Sequence, residues 1–257
     1  MSLSIGIVGL PNVGKSTLFK ALTKKQVDIA NFPFTTIEPN VAVVAVPDEK
    51  LDKLNEILKP EKITPATIEF IDIAGLVKNA HLGKGLGNKF LAKIREADIL
   101  VEVVRSFRDE NVAHIEGSVN PQRDIKIIEE ELKEADINKP TVYLFNSDTR
   151  IFMIEEKPVS IDEIIKFCYY TLDLITFYTI KGGKETRATK IKRDTNILDA
   201  AGKIHSDFRE KFIKAEIIDV DDLINAGSWQ KAREKGLVRT EGKEYIVKEG
   251  DLVEFKI

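Results

Sequence analysis

Nine residues near the N-terminus have the types and the spacing of a phosphate-binding loop. Gly9 to Thr17 read Gly-Leu-Pro-Asn-Val-Gly-Lys-Ser-Thr, which matches the pattern G-x-x-x-x-G-K-[ST] after a short apolar run. Glycines in such a loop let backbone N–H groups surround phosphate oxygens, while the lysine adds charge and the next hydroxyl can bind magnesium. A chance match in a surface turn is the alternative. The predicted nucleotide ligands are Asn12, Val13, Gly14, Lys15, Ser16 and Thr17.

Asp72 and the residues around it fit a sensor of the γ-phosphate. Asp72 ends an apolar strand pattern, so its carboxylate could reach Mg²⁺ through water, while Gly75 could offer its N–H to the γ-phosphate. In the turn-rich segment between the two motifs, Thr36 is the predicted second ligand of Mg²⁺ and Thr35 the alternative. Lys15 and Gly75 are the expected catalytic contacts with the transferred phosphate. A turn aspartate, and threonines that merely begin a strand, are the structural alternatives.

Leu76 follows Gly75, where many GTPases place a glutamine that orients the attacking water. A leucine side chain neither donates nor accepts a hydrogen bond. Hydrolysis of a nucleotide would therefore need another group to orient water, or would be slow.

Strand and helix patterns alternate over the first 150 residues, which predicts an α/β domain with a mostly parallel sheet. The predicted strands are 4–9, 41–46, 67–72, 98–104 and 141–146, and the predicted helices are 15–22, 49–58, 87–96 and 125–135. The carboxyl ends of parallel strands share one edge of a sheet, where ligands of such folds bind. Gly9, Asp72 and Asn146 are expected at that edge.

The pattern changes near Leu174 and predicts a second, smaller domain. We assign residues 1–172 to the nucleotide-binding domain and 173–257 to a small α+β domain with a mixed sheet. Its predicted elements are strands on both sides of the Gly182-Gly183 turn, a helix near 200–212, and closing strands at 244–247 and 252–257. The apolar segment 164–180 carries Lys166 and Asp173, so we interpret it as core and not as a membrane span.

Composition restricts the class of protein. The chain has 257 residues, 43% hydrophobic and 32% charged, with a net charge of −3, which is typical of a globular protein with no general attraction to nucleic acid or membranes. A single cysteine, Cys168, excludes an internal disulfide and a cysteine-based metal site. The start of the chain has no secretory pattern, so we expect a cytoplasmic location. We also expect a monomer.

One stretch of the C-terminal domain is locally basic. Such a run could follow the backbone of RNA, although a solvated strand edge also favours lysine. Its charged residues are Lys181, Lys184, Glu185, Arg187, Lys190, Lys192, Arg193 and Asp194.

Several segments together resemble the YchF (Obg-like ATPase) family. They are residues 9–19, 31–40, 72–78, 85–91, 201–208 and 241–247, so the resemblance reaches both ends of the chain. It implies a P-loop GTPase-like domain followed by a TGS domain of β-grasp type. It also implies hydrolysis of purine nucleotides, with ATP often preferred over GTP, and association with the ribosome.

The resemblance implies two further roles. In this family a histidine on a mobile loop is proposed to replace the missing glutamine, and the matching residue is His114. Histidine is a credible water-orienting group near neutral pH, although an ordinary loop histidine is the alternative. Related GTPases with asparagine at the position of Asn12 can use K⁺, which makes K⁺ a second candidate cofactor.

The chain departs from the family at the base end. In the segment that recognises the base, GTPases usually have Asn-Lys-x-Asp and YchF proteins have a pattern similar to Asn-x-x-Glu. This chain has Asn146-Ser147-Asp148-Thr149. Asn146 can still face a base edge, but the preference for ATP rests on resemblance alone. The helical insertion of the family has no room between about 136 and 140, and part of the domain near 150–160 is also short. We therefore expect segments of the relatives to be absent from this chain.

Overall fold

A computed structural model describes residues 3–27, 40–73, 86–148, 151–182 and 184–257. By its contacts the chain forms two compact units. The first comprises Met1–Ala45 and Thr67–Leu172, and the second comprises Val46–Ala66 and Asp173–Ile257. The second unit therefore includes 46–66, which the sequence pattern assigned to the first domain.

Strands and helices are interleaved along the described part of the chain. The strands are β1 (Ser4–Val8), β2 (Val41–Ala45), β3 (Lys62–Thr64), β4 (Thr67–Asp72), β5 (Ile99–Arg105), β6 (Thr141–Asn146), β7 (Phe152–Ile154), β8 (Lys157–Pro158), β9 (Leu174–Lys181), β10 (Glu185–Lys192), β11 (Lys214–Asp219), β12 (Arg239–Glu241) and β13 (Asp251–Lys256). The helices are α1 (Lys15–Thr23), α2 (Glu49–Leu58), α3 (Leu86–Glu96), α4 (Pro121–Glu134), α5 (Ile161–Thr171), α6 (Ile197–Ile204), α7 (Ser206–Glu210), α8 (Val220–Ala226) and α9 (Trp229–Glu234).

The first unit is built on a sheet with the order β2-β4-β1-β5-β6-β7-β8. The four inner strands β4, β1, β5 and β6 are parallel, and the outer pairs are antiparallel. The register pairs Ile7 with Asp72 and Arg105 with Asn146. The carboxyl ends of these strands therefore lie at one edge, and the predicted mostly parallel α/β fold is confirmed.

Helix α4 begins four residues before its predicted start, because its N-terminal signals lie in the preceding turn. The side chain of Asn120 accepts a hydrogen bond from the N–H of Arg123, and Pro121 occupies the first helical turn, where it is tolerated. The apolar segment 164–180 is likewise divided between α5 and β9. Asp173 lies between them with φ +52°, a left-handed conformation that ends the helical path.

A short turn joins α4 to β6. The N–H of Ile137 donates to the carbonyl of Leu132, and the N–H of Asp136 donates to that of Lys133. Asp136 has φ +53°, and the side chain of Ile137 is buried. This closure resembles a Schellman motif, which stabilises a helix end through backbone hydrogen bonds and one apolar contact. The chain therefore passes directly from helix to strand at the position where the family resemblance implied an insertion.

The second unit contains a mixed sheet with the order β12-β11-β13-β9-β10-β3. Strands β9 and β13 are parallel neighbours, β9 and β10 form a hairpin, and α6 packs on the sheet through a shared apolar core. This arrangement is typical of a β-grasp domain, as predicted. Helix α2 also belongs to this unit, because the Tyr178 hydroxyl donates to the Asp48 carboxylate that caps it.

Two predictions for this unit are wrong. Residues 244–247 do not form a strand: Ile246 makes only a bridge with Asn196. The helix predicted at 200–212 is instead divided at His205, whose backbone is extended with φ −163° and whose ring accepts the N–H of Asp207 to cap α7. A residue that caps one helix cannot continue another, so the path breaks there. None of the described helices is both long and apolar enough to cross a membrane.

Candidate nucleotide-binding site

The phosphate loop joins β1 to α1 in a conformation that two glycines make possible. Gly9 and Gly14 have φ values of +144° and +110°, in a region that side chains disfavour. A Cβ on Gly14 would lie 2.3 Å from the Asn146 amide nitrogen, and one on Gly9 would lie 2.5 Å from the Val103 carbonyl oxygen. At both positions the backbone therefore lies closer to its neighbours than a residue with a side chain would allow.

Lys15 is folded onto the loop that it follows. Its ammonium group donates to the carbonyl oxygens of Gly9 at 3.0 Å and Leu10 at 2.7 Å, and the residue is 8% exposed. Burial lowers the pKa of Lys15 to about 8, and the nearby Asp72 carboxylate partly opposes this shift. The amine is thus a desolvated cation at the start of a helix, where an anionic ligand would stabilise it.

Asp72 lies at the end of β4 beside the loop. Burial raises the pKa of its carboxyl above the ordinary value, while the Lys15 charge lowers it. Within the described residues, no group of three or more His, Cys, Asp or Glu side chains could hold a metal ion. Magnesium in phosphate sites needs only one or two protein ligands beside phosphate and water, so the prediction of Ser16 and Asp72 as ligands does not depend on such a group.

The remaining predicted ligands of the γ-phosphate lie outside the described residues. They are Thr36, its alternative Thr35 and Gly75; Leu76, which was not predicted as a ligand, also lies outside the described residues.

A cavity of about 320 Å³ brings six of the predicted ligands together, while Val13 and Asp72 do not line it. It is lined by Asn12, Gly14, Lys15, Ser16, Thr17, Phe107, Val112 and Asn146. Phe107 and Val112 were not among the residues predicted from the sequence. They follow the end of β5, and the parallel pairing of β5 with β1 carries them to the phosphate loop. Ligands of such folds bind where the inner parallel strands end, so the residues that follow β5 could have been predicted as site residues on this rule.

Asn146 connects β6 to the phosphate loop. Its amide nitrogen donates to the carbonyl of Val13 at 3.0 Å, while its amide oxygen is buried without a hydrogen-bond partner among the described residues. The Val13 carbonyl fixes this orientation, because the flipped amide would bring two oxygens together. Asp148 does not face the cavity: its carboxylate accepts the N–H of Arg108 at 2.9 Å. Asn146 thus keeps one buried acceptor that no group among the described residues satisfies.

His114 is held in the protein interior. Its Nε2 lies 2.9 Å from an oxygen of Asp124, and the side chains are 4% and 3% exposed. The N–H of Glu116 donates to Nδ1 at 3.1 Å, so the ring proton is on Nε2 and is donated to the carboxylate. His114 does not line the cavity, and its water-orienting role stays a prediction that requires the bond to Asp124 to break.

A second buried acid lies on β5. Glu102 is 2% exposed, and burial raises its pKa to about 9, with the charges of Glu129 and Asp124 acting in the same direction. Its carboxyl is therefore neutral near pH 7. Glu102 does not line the nucleotide cavity.

Comparisons with known proteins agree with this geometry. The family model described as "50S ribosome-binding GTPase" matches residues 4–147. The model of the YchF GTPase C-terminal domain, described as a protein of unknown function, matches residues 174–257. The structure of the YchF GTPase of Schizosaccharomyces pombe covers 99% of this chain and 98% of its own, with a TM-score of 0.80 and 30% identity.

Curated relatives match over nearly the whole chain. The Ribosome-binding ATPase YchF of Mycoplasma genitalium is 35% identical over 363 residues, and that of Escherichia coli O157:H7 is 36% identical over 361. Each alignment covers 99% of both chains. The aligned spans exceed the 257 residues of this chain, so segments of the relatives have no counterpart in it. At this identity and coverage the relationship is plain, and the chain belongs to the YchF family, with a first domain of the P-loop GTPase type.

Proposed function

We propose that this protein is a nucleotide-dependent switch that binds and hydrolyses ATP with Mg²⁺ and associates with the ribosome. The phosphate end of the cavity supports nucleotide binding. Lys15 would exchange its two loop carbonyls for phosphate oxygens, and the first N–H groups of α1 would add a positive dipole. The charge on the phosphates would also offset the desolvation of the ammonium group.

Ser16 and Asp72 are the described residues that would hold Mg²⁺, and Thr36 is the proposed third contact. The ion would neutralise charge that develops on the phosphates during transfer. Asn12 is the proposed K⁺ contact. Its amide nitrogen donates to the carbonyl of Ala113 at 3.2 Å, which leaves the amide oxygen as the atom for a cation.

The observation that carries the choice of nucleotide is the buried oxygen of Asn146, which has no hydrogen-bond partner among the described residues. A buried acceptor without a donor is unfavourable, so a ligand that supplies an N–H gains free energy there. The exocyclic group of adenine at C6 is an amine, which donates, whereas that of guanine is a carbonyl oxygen, which accepts. An adenine with this edge toward Asn146 would satisfy the residue, and a guanine in the same pose would not.

For hydrolysis, specific observations favour an alternative function. His114 is bonded at both ring nitrogens, and Leu76 offers no hydrogen bond to water. These observations favour, as a second candidate, a nucleotide-regulated module that binds ribosomes or RNA and hydrolyses little on its own. In the first candidate, partner binding would release His114 from Asp124 and complete the site.

The ribosome is the proposed partner because the curated relatives are named ribosome-binding ATPases. The locally basic stretch 181–194 offers fewer unpaired charges to RNA than its sequence implied. Arg187 pairs with Glu185 at 3.0 Å and Arg193 with Asp173 at 2.8 Å. We propose that the protein acts as a cytoplasmic monomer, and that its contacts with the ribosome use both domains.

Calorimetric titration with non-hydrolysable ATP and GTP analogues in Mg²⁺ tests the proposed nucleotide. We expect the ATP analogue to bind at least about tenfold more tightly, which corresponds to the cost of about 1–3 kcal/mol for an unsatisfied buried acceptor. Equal affinities would contradict the role of Asn146. Multiple-turnover hydrolysis with and without saturating ribosomes then separates the two candidates, because only the first predicts turnover that ribosomes increase.

A further inference from the structure

Arg105 ends β5 beside the nucleotide cavity, yet its guanidinium is inside the protein. The residue is 2% exposed. Its nitrogens donate to the carbonyl oxygens of Phe107 at 3.1 Å, Asp109 at 3.3 Å, Val112 at 3.0 Å and Ala113 at 3.4 Å. The guanidinium carbon also lies 4.3 Å from the centre of the Phe107 ring. Every one of these partners belongs to the segment 107–113.

A buried guanidinium imposes a shape on whatever surrounds it. Arginine stays charged in proteins, so its burial is unfavourable unless hydrogen bonds compensate for lost water. For Arg105 the compensation comes from backbone carbonyls, which must turn inward from successive turns of one segment. With the carbonyls fixed on the inside, the segment presents Phe107 and Val112 to the nucleotide cavity.

The same segment connects the two ends of the cavity. On the phosphate side, the carbonyl of Ala113 accepts a hydrogen bond from the Asn12 amide as well as from Arg105. On the opposite side, Ser106, which directly precedes the segment, donates its N–H to the Asn146 carbonyl at 2.9 Å. A displacement of the segment would therefore alter the wall of the cavity that lies between these two contacts.

We propose that Arg105 is a positioning residue for the nucleotide, acting through the segment 107–113. The guanidinium holds this segment as the wall against which the nucleoside packs, without touching the ligand itself. This inference rests on the proposed function and assigns a further residue to the same site. It makes a selective prediction, because the phosphates are held by the loop before α1 and not by this wall.

The test compares two probes that share phosphates and differ in the nucleoside. Arg105→Lys keeps the charge but replaces a planar fork with a point charge that cannot bridge the same carbonyls. We expect its affinity for the non-hydrolysable ATP analogue to fall about tenfold or more, since the wall is no longer preorganised, and its affinity for Mg²⁺-tripolyphosphate to stay within about twofold. Calorimetry measures both.

Arg95→Lys is the matched control, because Arg95 also donates to a backbone carbonyl, that of Ala135, at the far end of α4. Both of its affinities should equal those of the wild type. If the lysine variant does not fold, Arg105→Gln provides a second variant, because it removes the buried charge. It should show the same selective loss.

A double variant separates positioning from general loosening. If Arg105 acts through the wall, Arg105→Gln should weaken ATP binding much less in a Phe107→Leu background than in the wild type. Equal loss of ATP and tripolyphosphate binding, loss of neither, or additive effects would overturn the inference while leaving the proposed function intact. A wild-type protein that binds neither probe would overturn the proposed function, and this inference with it.

Discussion

The proposed phosphate end and the proposed nucleoside end of the cavity are built in different ways. The phosphate end is one continuous segment, and its shape comes from backbone conformations at Gly9, Asn12 and Gly14. The nucleoside end is assembled from Phe107, Val112 and Asn146, which meet only after β5 and β6 pair. The local motif could therefore be identified in full from the sequence, whereas only Asn146 was predicted from the wall that long-range pairing builds.

The two ends are nevertheless joined by two hydrogen bonds. Asn146 donates to the carbonyl of Val13, and Asn12 donates to that of Ala113. Each bond runs from a side chain at one end to the backbone of the other. Substitutions at these residues separate the contribution of each end to nucleotide binding and stability from the contribution of the hydrogen bonds that join them.

Removing the charge at the phosphate end should have the largest effect. Lys15→Ala should weaken ATP binding about 100-fold or more, because truncating one partner of a buried charge pair costs roughly 2–5 kcal/mol. The thermal midpoint of the nucleotide-free protein should not fall, since a desolvated ammonium group is removed with the side chain. Calorimetry and thermal unfolding check both, with exposed Lys25→Ala as control. Undiminished binding would remove the phosphate loop from the site.

His114 tests whether the segment after β5 also takes part in hydrolysis. If His114 orients water in the ribosome-bound state, His114→Ala should lower kcat about 100-fold, which is typical of a lost general acid or base. Asp124→Asn keeps the ring but weakens its anchor, and both variants should lose about 1–3 kcal/mol of stability. A kcat that falls equally in the two variants would assign His114 a structural role only.

Gly14 and Asn146 measure the connection between the two ends. Gly14→Ala should lower the free energy of unfolding by about 1–3 kcal/mol, because it adds left-handed strain and a clash with the Asn146 amide. In an Asn146→Ala background the clash is absent, so the same change should cost less. Urea unfolding of the four proteins gives the coupling energy. Strictly additive effects would mean that the close approach does not constrain the loop.

The smallest effect is a pH dependence at the phosphate end. The pKa of Lys15 is lowered to about 8 by burial, and a bound phosphate should raise it. Above pH 8 the free protein must therefore take up a proton to bind, and ATP affinity should fall by up to about tenfold per pH unit. Stability should change in the opposite direction. The unfolded lysine keeps its proton up to its ordinary pKa, so the unfolded state binds more protons at this residue and the contribution of Lys15 to stability rises with pH.

Titrations of binding and of unfolding between about pH 7 and 10 check both signs as the difference between the wild type and Lys15→Ala, because Glu102 also titrates in this range and changes stability in the other direction. A flat binding profile would show that the ammonium group is not desolvated before the nucleotide arrives.

Strong local signals account for what the sequence predicted correctly. Strands β4 and β6 and helix α2 have their predicted bounds because alternating or periodic apolar residues and a capping aspartate mark them. The phosphate loop and Asn146 were placed at one edge because parallel sheets put their ligands there.

The remainder depended on tertiary contacts. Residues 46–66 look like part of the first domain in sequence, but Asp48 both caps α2 and accepts the hydroxyl of Tyr178. Arg105 looks like an exposed strand end, and only the carbonyls of the following segment reveal why it is buried. The residues around His114 in the sequence do not indicate that it will form a hydrogen bond with Asp124. In each case the partner is distant along the chain or has no pattern of its own.

Glu102 makes folding a reaction that consumes a proton. The unfolded chain releases this proton above the ordinary glutamate pKa of 4.5, whereas the folded protein keeps it up to about pH 9. Between these limits folding takes up as much as one proton at this position, so acid favours the folded state and alkali opposes it. The measured enthalpy of folding should then vary with the ionisation enthalpy of the buffer, even with no nucleotide in solution.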